Sequence, residues 1–211
     1  MKPRFFISTL GLMMAYDSLA GPPMGLEESG TDNWEYAFST ATYLVRNDRE
    51  YVNPTFTADR NWFHLEARFN YEALKTGSLW LGYNFSAGEK LTLEATPMLG
   101  GVFGDITGFA PGYTLSIGYG KLELFTQGEY FIDAATGEGN FFYTWSELSL
   151  APVDWFRFGL VIDRTKAFGS ELDIRRGPLI GVTYKKTDFT VYWLDPGSSS
   201  SAFVFALTLN F

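Results

Sequence analysis

Large apolar residues recur at every second position through much of this chain, and such alternation is typical of β-strands. The last ten residues show it most clearly. Their large residues are Phe203, Phe205, Leu207, Leu209 and Phe211. The residues between them are small or polar, so the pattern predicts a strand with one bulky apolar face and one slender face.

Similar alternation predicts an all-β chain with twelve antiparallel strands. The predicted strands are 34–46, 51–59, 62–72, 78–86, 90–103, 109–119, 121–133, 141–151, 155–166, 176–186, 188–195 and 202–211. Most reach the roughly 9–11 residues that a tilted strand needs to cross a bilayer. Short turns alternate with mostly longer connections, as in transmembrane up-and-down β-barrels.

The faces of the predicted strands differ in polarity. The apolar face of the third strand carries Phe63, Leu65, Ala67, Phe69 and Tyr71. Its polar face carries His64, Glu66, Arg68 and Asn70. A water-soluble sheet would turn the apolar face inward, whereas a membrane barrel turns it to the lipid, so periodicity leaves both open.

The start of the chain favours the membrane alternative. Residues 1–20 have the pattern of a secretory signal peptide, with Lys2 and Arg4 before an apolar stretch and Ser18 and Ala20 near its end. Residues 21–33 are rich in Gly and Pro and predict a flexible periplasmic segment. The predicted domains are therefore a signal peptide, this segment, and a barrel over residues 34–211.

The C-terminal strand resembles the recognition strand of Gram-negative outer-membrane β-barrels, which ends in Phe after alternating apolar residues. The resemblance implies a porin-like barrel in the cell outer membrane, with both chain ends in the periplasm. It also implies that Phe203, Phe205, Leu207, Leu209 and Phe211 form the signal read by the barrel-assembly machinery. The other implied partners are outer-membrane lipids.

Composition agrees with an exported barrel and excludes some alternatives. Aromatic residues make up 18% of the 211 residues, as expected where aromatic side chains form girdles at the membrane surfaces. Cysteine is absent, so no disulfide supports the fold. The net charge of −8 argues against nucleic acid as a partner, because binding phosphates needs clustered Lys and Arg.

The inward face is predicted to be polar and predominantly acidic. The candidate interior residues are His64, Glu66, Arg68, Glu94, Glu123, Gln127, Glu129, Glu147, Arg157 and Asp163. Further inward carboxylates are Glu35, Asp59 and Asp133, and further bases are Lys185 and Lys90. An excess of carboxylates favours cations in a pore, whereas charges that pair across the barrel favour a filled interior. Parity also turns Trp80, Phe125, Tyr143 and Trp145 inward.

His64 is the only histidine and the one candidate for catalysis. It is predicted to lie opposite Thr57 across a turn at Arg60-Asn61. No motif of a lipid hydrolase or acyltransferase surrounds it, so we assign no catalytic residue. One histidine among scattered carboxylates is also too little for a metal site, and we expect no cofactor.

Two further expectations concern the strand ends and a proline. Trp62, Tyr119 and Trp155 lie beside short turns and are predicted to form the periplasmic aromatic girdle. Pro97 removes a backbone donor inside a predicted strand. A β-bulge there would reverse the inward and outward positions that follow it.

Three functions fit these patterns. The first is a passive channel for small polar solutes, neutral or cationic. The second is a closed barrel with a structural or interaction role, which tight packing of Trp80, Phe125 and Trp145 would favour. The third is a lipid-active enzyme, which a hydroxyl within hydrogen-bond reach of His64 would favour.

Overall fold

The structure is a computed structural model that describes residues 33–167 and 169–211. The predicted signal peptide and all but the last residue of the segment 21–33 lie outside the described residues. No helix among the described residues is long and apolar enough to span a membrane.

The described chain forms thirteen antiparallel β-segments. They are β1 (Glu35–Val45), β2 (Tyr51–Arg60), β3 (Phe63–Phe69), β4 (Thr76–Tyr83), β5 (Phe85–Ala87), β6 (Leu91–Gly104), β7 (Gly108–Tyr119), β8 (Leu122–Asp133), β9 (Phe141–Val153), β10 (Phe156–Ala167), β11 (Asp173–Tyr184), β12 (Thr187–Leu194) and β13 (Ala202–Asn210). Every predicted strand is present, with boundaries shifted by a few residues.

The segments close into a barrel with twelve crossing strands, as the sequence predicts. β4 and β5 both pair with β6, every other pair of consecutive segments is joined by hydrogen bonds, and β13 pairs with β1. β4 and β5 are two parts of one crossing strand, because Gly82 pairs with Met98 and Phe85 with Ala95 in a single register. Closure leaves no edge along the barrel wall, apart from this local interruption.

The interruption lies opposite Pro97. Tyr83 and Asn84 face Pro97 and Thr96, where the proline has no N–H to donate to the ladder. The pairing of β6 with β7 nevertheless continues without a shift from Leu91 to Val102. The β-bulge that Pro97 could have caused is therefore absent from the β6–β7 pairing. Inward and outward residues keep their alternation along β6.

Short turns lie at one end of the barrel, and the longer connections lie at the other end. Two residues connect β2 to β3, β7 to β8, β9 to β10 and β11 to β12. The connections at the opposite end contain up to seven residues. Glu35 and Asn210 both lie at the short-turn end, since β1 and β13 pair there. That this end faces the periplasm stays a prediction.

The turn between β2 and β3 is displaced by one residue from its predicted place. Arg60 pairs with Phe63, so Asn61 and Trp62 form the turn, and Asn61 adopts a φ of 53°. Asp59 therefore lies opposite His64, and Thr57 lies opposite Glu66. The predicted pairing of Thr57 with His64 is wrong, because sequence alternation does not fix which residues occupy a two-residue turn.

The outer surface is apolar and the interior is densely packed. Leu79, Leu81, Leu99 and Leu160 are each more than half exposed on the outside. Trp80, Phe125, Tyr143 and Trp145 are buried, as their parity predicts. Their burial shows that side chains occupy much of the space that the strands enclose.

The two halves of the interior differ in character. An apolar cluster lies toward the longer connections and includes Tyr43, Phe131, Phe141, Tyr143, Trp145, Val161, Leu179, Tyr192, Leu194 and Val204. Polar side chains lie toward the short turns, among them Thr57, Asp59, His64, Asn84, Thr96, Ser116, Arg157 and Asp188. The barrel is thus polar inside at its short-turn end and more apolar near its longer connections.

Candidate functional site

Carboxylates dominate the charged groups of the interior. Those buried in the described chain number seven: Asp59, Glu66, Glu72, Glu129, Glu147, Asp163 and Asp188. The basic side chains among them are His64 and Arg68, which are buried, and Arg157 and Arg175, which are half-buried. Glu94 and Glu123 add two half-buried carboxylates near the short turns. The predicted acidic bias of the inward face is therefore present.

Arg68 lies at the centre of the largest charged cluster. Its Nε and Nη2 donate to the two carboxylate oxygens of Glu66 at 2.8 and 2.9 Å, in a bidentate pair. Its Nη1 donates to Glu129 Oε2 at 3.0 Å. The guanidinium also lies between two aromatic rings, 4.1 Å from the centroid of Tyr71 and 4.2 Å from that of Trp80. These contacts fix Arg68 in one position.

Trp80 can lie beside Arg68 because glycine forms the wall behind it. A Cβ at Gly100 would come within 2.4 Å of the indole, and one at Gly112 within 2.9 Å. The absence of side chains on β6 and β7 at these positions gives the indole its space. Trp80 Nε1 donates to Ser78 Oγ at 2.9 Å, which satisfies its buried donor.

His64 continues the cluster toward the short turns. Its Nδ1 lies 2.7 Å from Asp59 Oδ1, and its Nε2 lies 3.4 Å from Glu66 Oε2. Asn84 Nδ2 donates to the same Asp59 oxygen at 2.7 Å. Both ring nitrogens face carboxylates, and within residues 33–167 and 169–211 no hydroxyl forms a hydrogen bond with His64. This geometry supplies no activated nucleophile of the kind that the enzyme hypothesis needs.

A second cluster surrounds Glu147 on the opposite wall. Trp145 Nε1 and Tyr192 OH donate to Glu147 Oε1 at 2.7 and 2.8 Å. Arg157 Nη1 donates to Glu147 Oε2 at 3.0 Å, and its Nη2 donates to Thr190 Oγ1 at 2.8 Å. Both oxygens of Glu147 are thus satisfied, as expected of a structural interior charge.

Other predicted interior residues have fewer partners. Asp163 pairs with Arg175, and Ser116 Oγ donates to Glu123 Oε1 at 2.8 Å. Gln127 Nε2 donates to the hydroxyl of Tyr71 at 2.7 Å. Glu94 lies half-buried opposite Ser116 of β7. All ten candidate interior residues therefore occupy inward positions, although they are divided among separate clusters.

Tyr71 is the clearest departure from the predicted faces. It was expected on the outward face of the third strand, but β3 ends at Phe69 and Tyr71 is buried in the interior. Asn70 adopts a φ of 57°, which turns the chain inward and ends the strict alternation. The next residue, Glu72, is also fully buried, and burial raises the pKa of its carboxyl above the ordinary value.

Further differences concern basic residues and missed acids. Lys185 and Lys90 are exposed near the short turns instead of facing inward, and Glu35 is exposed at the start of β1. Arg175 lies just before the predicted strand 176–186. In the structure β11 begins at Asp173, so the alternation of inward and outward residues includes Arg175. Asp188 is an inward residue of β12 that parity could have found. Glu72 shares the parity of His64 and Glu66 in the predicted strand 62–72, although β3 ends at Phe69 and Glu72 lies beyond it.

Several buried carboxylates have an oxygen without a hydrogen-bond partner. These oxygens are Glu72 Oε2, Glu129 Oε1, Asp163 Oδ1 and Asp188 Oδ2. Burying a charged oxygen without a partner is costly, so such atoms indicate groups that become protonated, become hydrated or bind a cation. No group of three or more His, Asp or Glu among the described residues is arranged to hold a metal ion.

The predicted surface residues lie where the sequence places them. Trp62, Tyr119 and Trp155 are exposed in or beside two-residue turns at the short-turn end. In the C-terminal strand, Phe203 and Phe211 are exposed and Phe205, Leu207 and Leu209 are half-buried, while the intervening Val204 and Ala206 are buried. Their roles in the membrane interface and in assembly stay predictions.

The fold is a closed, twelve-stranded antiparallel barrel, and solved porin structures have a similar fold. A solved structure described as "KdgM porin in complex with disordered oligogalacturonate" has a TM-score of 0.59 and 9% identity, covering 83% of this chain and 99% of that chain. Another, described as "KdgM porin", has a TM-score of 0.58 with the same identity and coverage. No known family profile and no curated protein matches the sequence.

Proposed function

We propose that this protein is a passive channel of the outer membrane for small polar solutes, neutral or cationic. The observation that carries this proposal is the excess of interior carboxylates, several of which have an unpaired oxygen. The barrel fold supplies a wall that can enclose an aqueous path. The acidic interior supplies the preference for cations over anions.

Unpaired carboxylate oxygens support the proposal of a hydrated interior. A buried charge is tolerated when it is fully paired, as Glu147 is by three donors. Glu72, Glu129, Asp163 and Asp188 each keep one oxygen without a partner. Water, a passing cation or protonation of the carboxyl would satisfy these oxygens, and the first two require an interior that solvent can enter.

The outer surface supports a location in the membrane. Exposed leucine, phenylalanine and tyrosine side chains surround the barrel, and a wide apolar surface of this kind is unfavourable in water. We place the short-turn end in the periplasm, with Trp62, Tyr119 and Trp155 at the lipid interface. The C-terminal strand would be the segment that the assembly machinery recognises.

The charge of the interior bears on the kind of solute. One similar structure is described with oligogalacturonate, which is an acidic sugar. An anionic chain would be repelled by the carboxylates of this interior, because Arg68, Arg157 and Arg175 are each already paired with a carboxylate. We therefore propose neutral or cationic solutes for this protein.

A closed structural or interaction barrel is the second candidate, and one observation favours it. Trp80 and Trp145 are fully buried and Phe125 nearly so, which fulfils the expectation set out for a filled interior. The two candidates differ in whether solutes cross the folded protein. A channel needs its inward side chains to leave a continuous path, whereas a structural barrel does not.

Swelling of liposomes distinguishes the two candidates. Liposomes containing the folded protein are diluted into isotonic solutions of a neutral sugar, an amino-acid amide that carries a positive charge, or galacturonate. A channel of the proposed kind predicts swelling with the neutral and cationic solutes and slower swelling with galacturonate. No swelling with any solute, from protein shown to be folded by its β-sheet circular dichroism, would support the closed barrel.

A further inference from the structure

The connection between β3 and β4, residues 70–75, folds into the barrel instead of away from it. Asn70 and Lys75 at its two ends have φ angles of 57° and 59°. The Asn70 side chain closes the base of this connection, since its Oδ1 accepts from Lys75 N at 2.7 Å and its Nδ2 donates to Val52 O at 3.0 Å. The inward course is therefore held by local hydrogen bonds.

The side chain of Tyr71 extends from this connection across the interior. Its hydroxyl accepts a 2.7 Å hydrogen bond from Gln127 of β8. In the sheet order, β4, β6 and β7 lie between β3 and β8. The Tyr71 ring also packs edge-on against Tyr143 of β9, with 6.4 Å between the centroids. Tyr71 thus connects two distant parts of the wall and narrows the space between them.

Glu72 adds a carboxylate at the same level. Its Oε1 accepts from Ser78 Oγ at 2.5 Å, and Ser78 is paired directly with Arg68 across the ladder. Arg68 binds Glu66 and Glu129, so one guanidinium lies among three carboxylates. Arg68 pairs directly with two of the three carboxyl groups, and the third, Glu72, is held by Ser78.

Two oxygens of this cluster have no partner. They are Glu72 Oε2 and Glu129 Oε1, and the two residues are 0% and 3% exposed. Both carboxylates already make one hydrogen bond through their other oxygen, so the unpaired atoms are left to accept a further group.

We propose that residues 70–75 form the selectivity constriction of the barrel, where Glu72 and Glu129 bind a small monovalent cation as it passes. This inference rests on the proposed channel function and names the site that would select its solute. The ligand is an alkali ion or the ammonium group of a small organic solute. Tyr71 sets the width of the passage, and the unpaired carboxylate oxygens set its charge preference.

Single-channel conductance at increasing KCl concentration tests the proposal. A channel with a cation-binding constriction shows conductance that saturates with salt, because occupancy of the site limits the current. Glu72→Gln keeps an oxygen that can accept from Ser78 and removes one charge. We expect it to lower the ratio of cation to anion permeability about twofold and to weaken saturation. Glu138→Gln, in the exposed β8–β9 connection, is the matched control and should leave both unchanged.

Tyr71→Ala tests the width of the passage independently of charge. Loss of the Tyr71 ring should raise single-channel conductance about twofold, because the ring and its hydrogen bond to Gln127 would no longer cross the interior. Tyr71→Phe keeps the ring and should raise conductance less. Folding of each variant is checked by circular dichroism and by the temperature of unfolding.

The outcomes separate this inference from the proposed function. If the wild type conducts, and Glu72→Gln and Tyr71→Ala have the same conductance and permeability ratio as the wild type, the proposed channel is retained and the constriction is overturned. A silent wild type that conducts after Tyr71→Ala would overturn the proposed passive channel and the cation-binding constriction, and would show that Tyr71 closes the interior. Silence of the wild type and of a folded Tyr71→Ala variant would overturn both.

Discussion

Arg68 shows how one residue can organise a barrel interior. It pairs with two carboxylates and stacks between two aromatic rings, so its removal affects several groups at once. Interior charges of this kind are not a simple gain in stability, because desolvation offsets much of their attraction. Their loss is costly for a different reason, since the partners stay buried without a counter-charge.

We predict that Arg68→Met lowers the free energy of unfolding by about 3–5 kcal/mol. The reason is that Glu66 and Glu129 would lose their shared guanidinium. Denaturant unfolding in lipid vesicles, followed by tryptophan fluorescence, measures the change. Arg164→Met is the control, because Arg164 is exposed on β10 and should change stability little. Equal stability of the two variants would show that the Arg68 pairs do not form.

Gly100 and Gly101 offer a matched pair of neighbours on opposite faces of β6. A Cβ at Gly100 meets the Trp80 indole at 2.4 Å, whereas a Cβ at Gly101 meets nothing within 4 Å. We predict that Gly100→Ala destabilises the barrel by about 1–3 kcal/mol through overpacking. Gly101→Ala should be nearly neutral in the same unfolding measurement. A neutral Gly100→Ala would mean that Trp80 does not pack on this wall.

Sequence alternation identified the inward face of most charged residues, and its failures occur where alternation stops. His64, Glu66 and Arg68 lie inward as predicted because a two-residue period is enforced by the pleat. Tyr71 lies beyond the end of β3, so its parity carried no information. The connections and hydrogen bonds that turn it inward involve Val52 and Gln127, which are distant in sequence.

At the scale of elements, the strands follow from local pattern and the turns do not. All twelve crossing strands were predictable, because each carries its own alternation and its own turn residues. The turn after β2 was misplaced by one residue, which changed the partner of His64 from Thr57 to Asp59. Pro97 interrupts the ladder opposite Tyr83 and Asn84 without a change of register, and this outcome depends on pairing between strands.

The C-terminal strand closes the barrel, and its last residue gives a prediction at this scale. Phe211 N donates to Tyr36 O at 2.8 Å, next to the end of the β1–β13 pairing. We predict that Phe211→Ala reduces the amount of barrel assembled in the outer membrane, since its ring is part of the expected recognition signal. Heat-modified mobility on gels of outer-membrane fractions measures the assembled amount.

The matched control for that prediction is Phe109→Ala. Phe109 is an exposed outward phenylalanine on β7, so its loss removes a similar apolar side chain away from the C-terminal strand. The control should assemble at the wild-type level. Equal assembly of both variants would contradict a recognition role for Phe211.

The whole described barrel combines an apolar exterior with an interior that is both packed and acidic. Packing of Trp80 and Trp145 narrows the barrel, while the unpaired oxygens of Glu72, Glu129, Asp163 and Asp188 favour hydration. These features fit a narrow channel whose constriction selects by charge. Fold class followed from the sequence, but the bore depends on side-chain packing across the barrel and on an inward connection, which a linear pattern does not encode.

Reversal potential in a planar bilayer tests the central claim most directly. The folded protein is inserted between two KCl solutions of different concentration, and the voltage of zero current is recorded for single channels. We predict discrete conductance steps and a reversal potential with the sign of cation preference, since the interior carboxylates outnumber the bases. The absence of steps from verified folded protein, or a reversal potential with the sign of anion preference, would contradict the account.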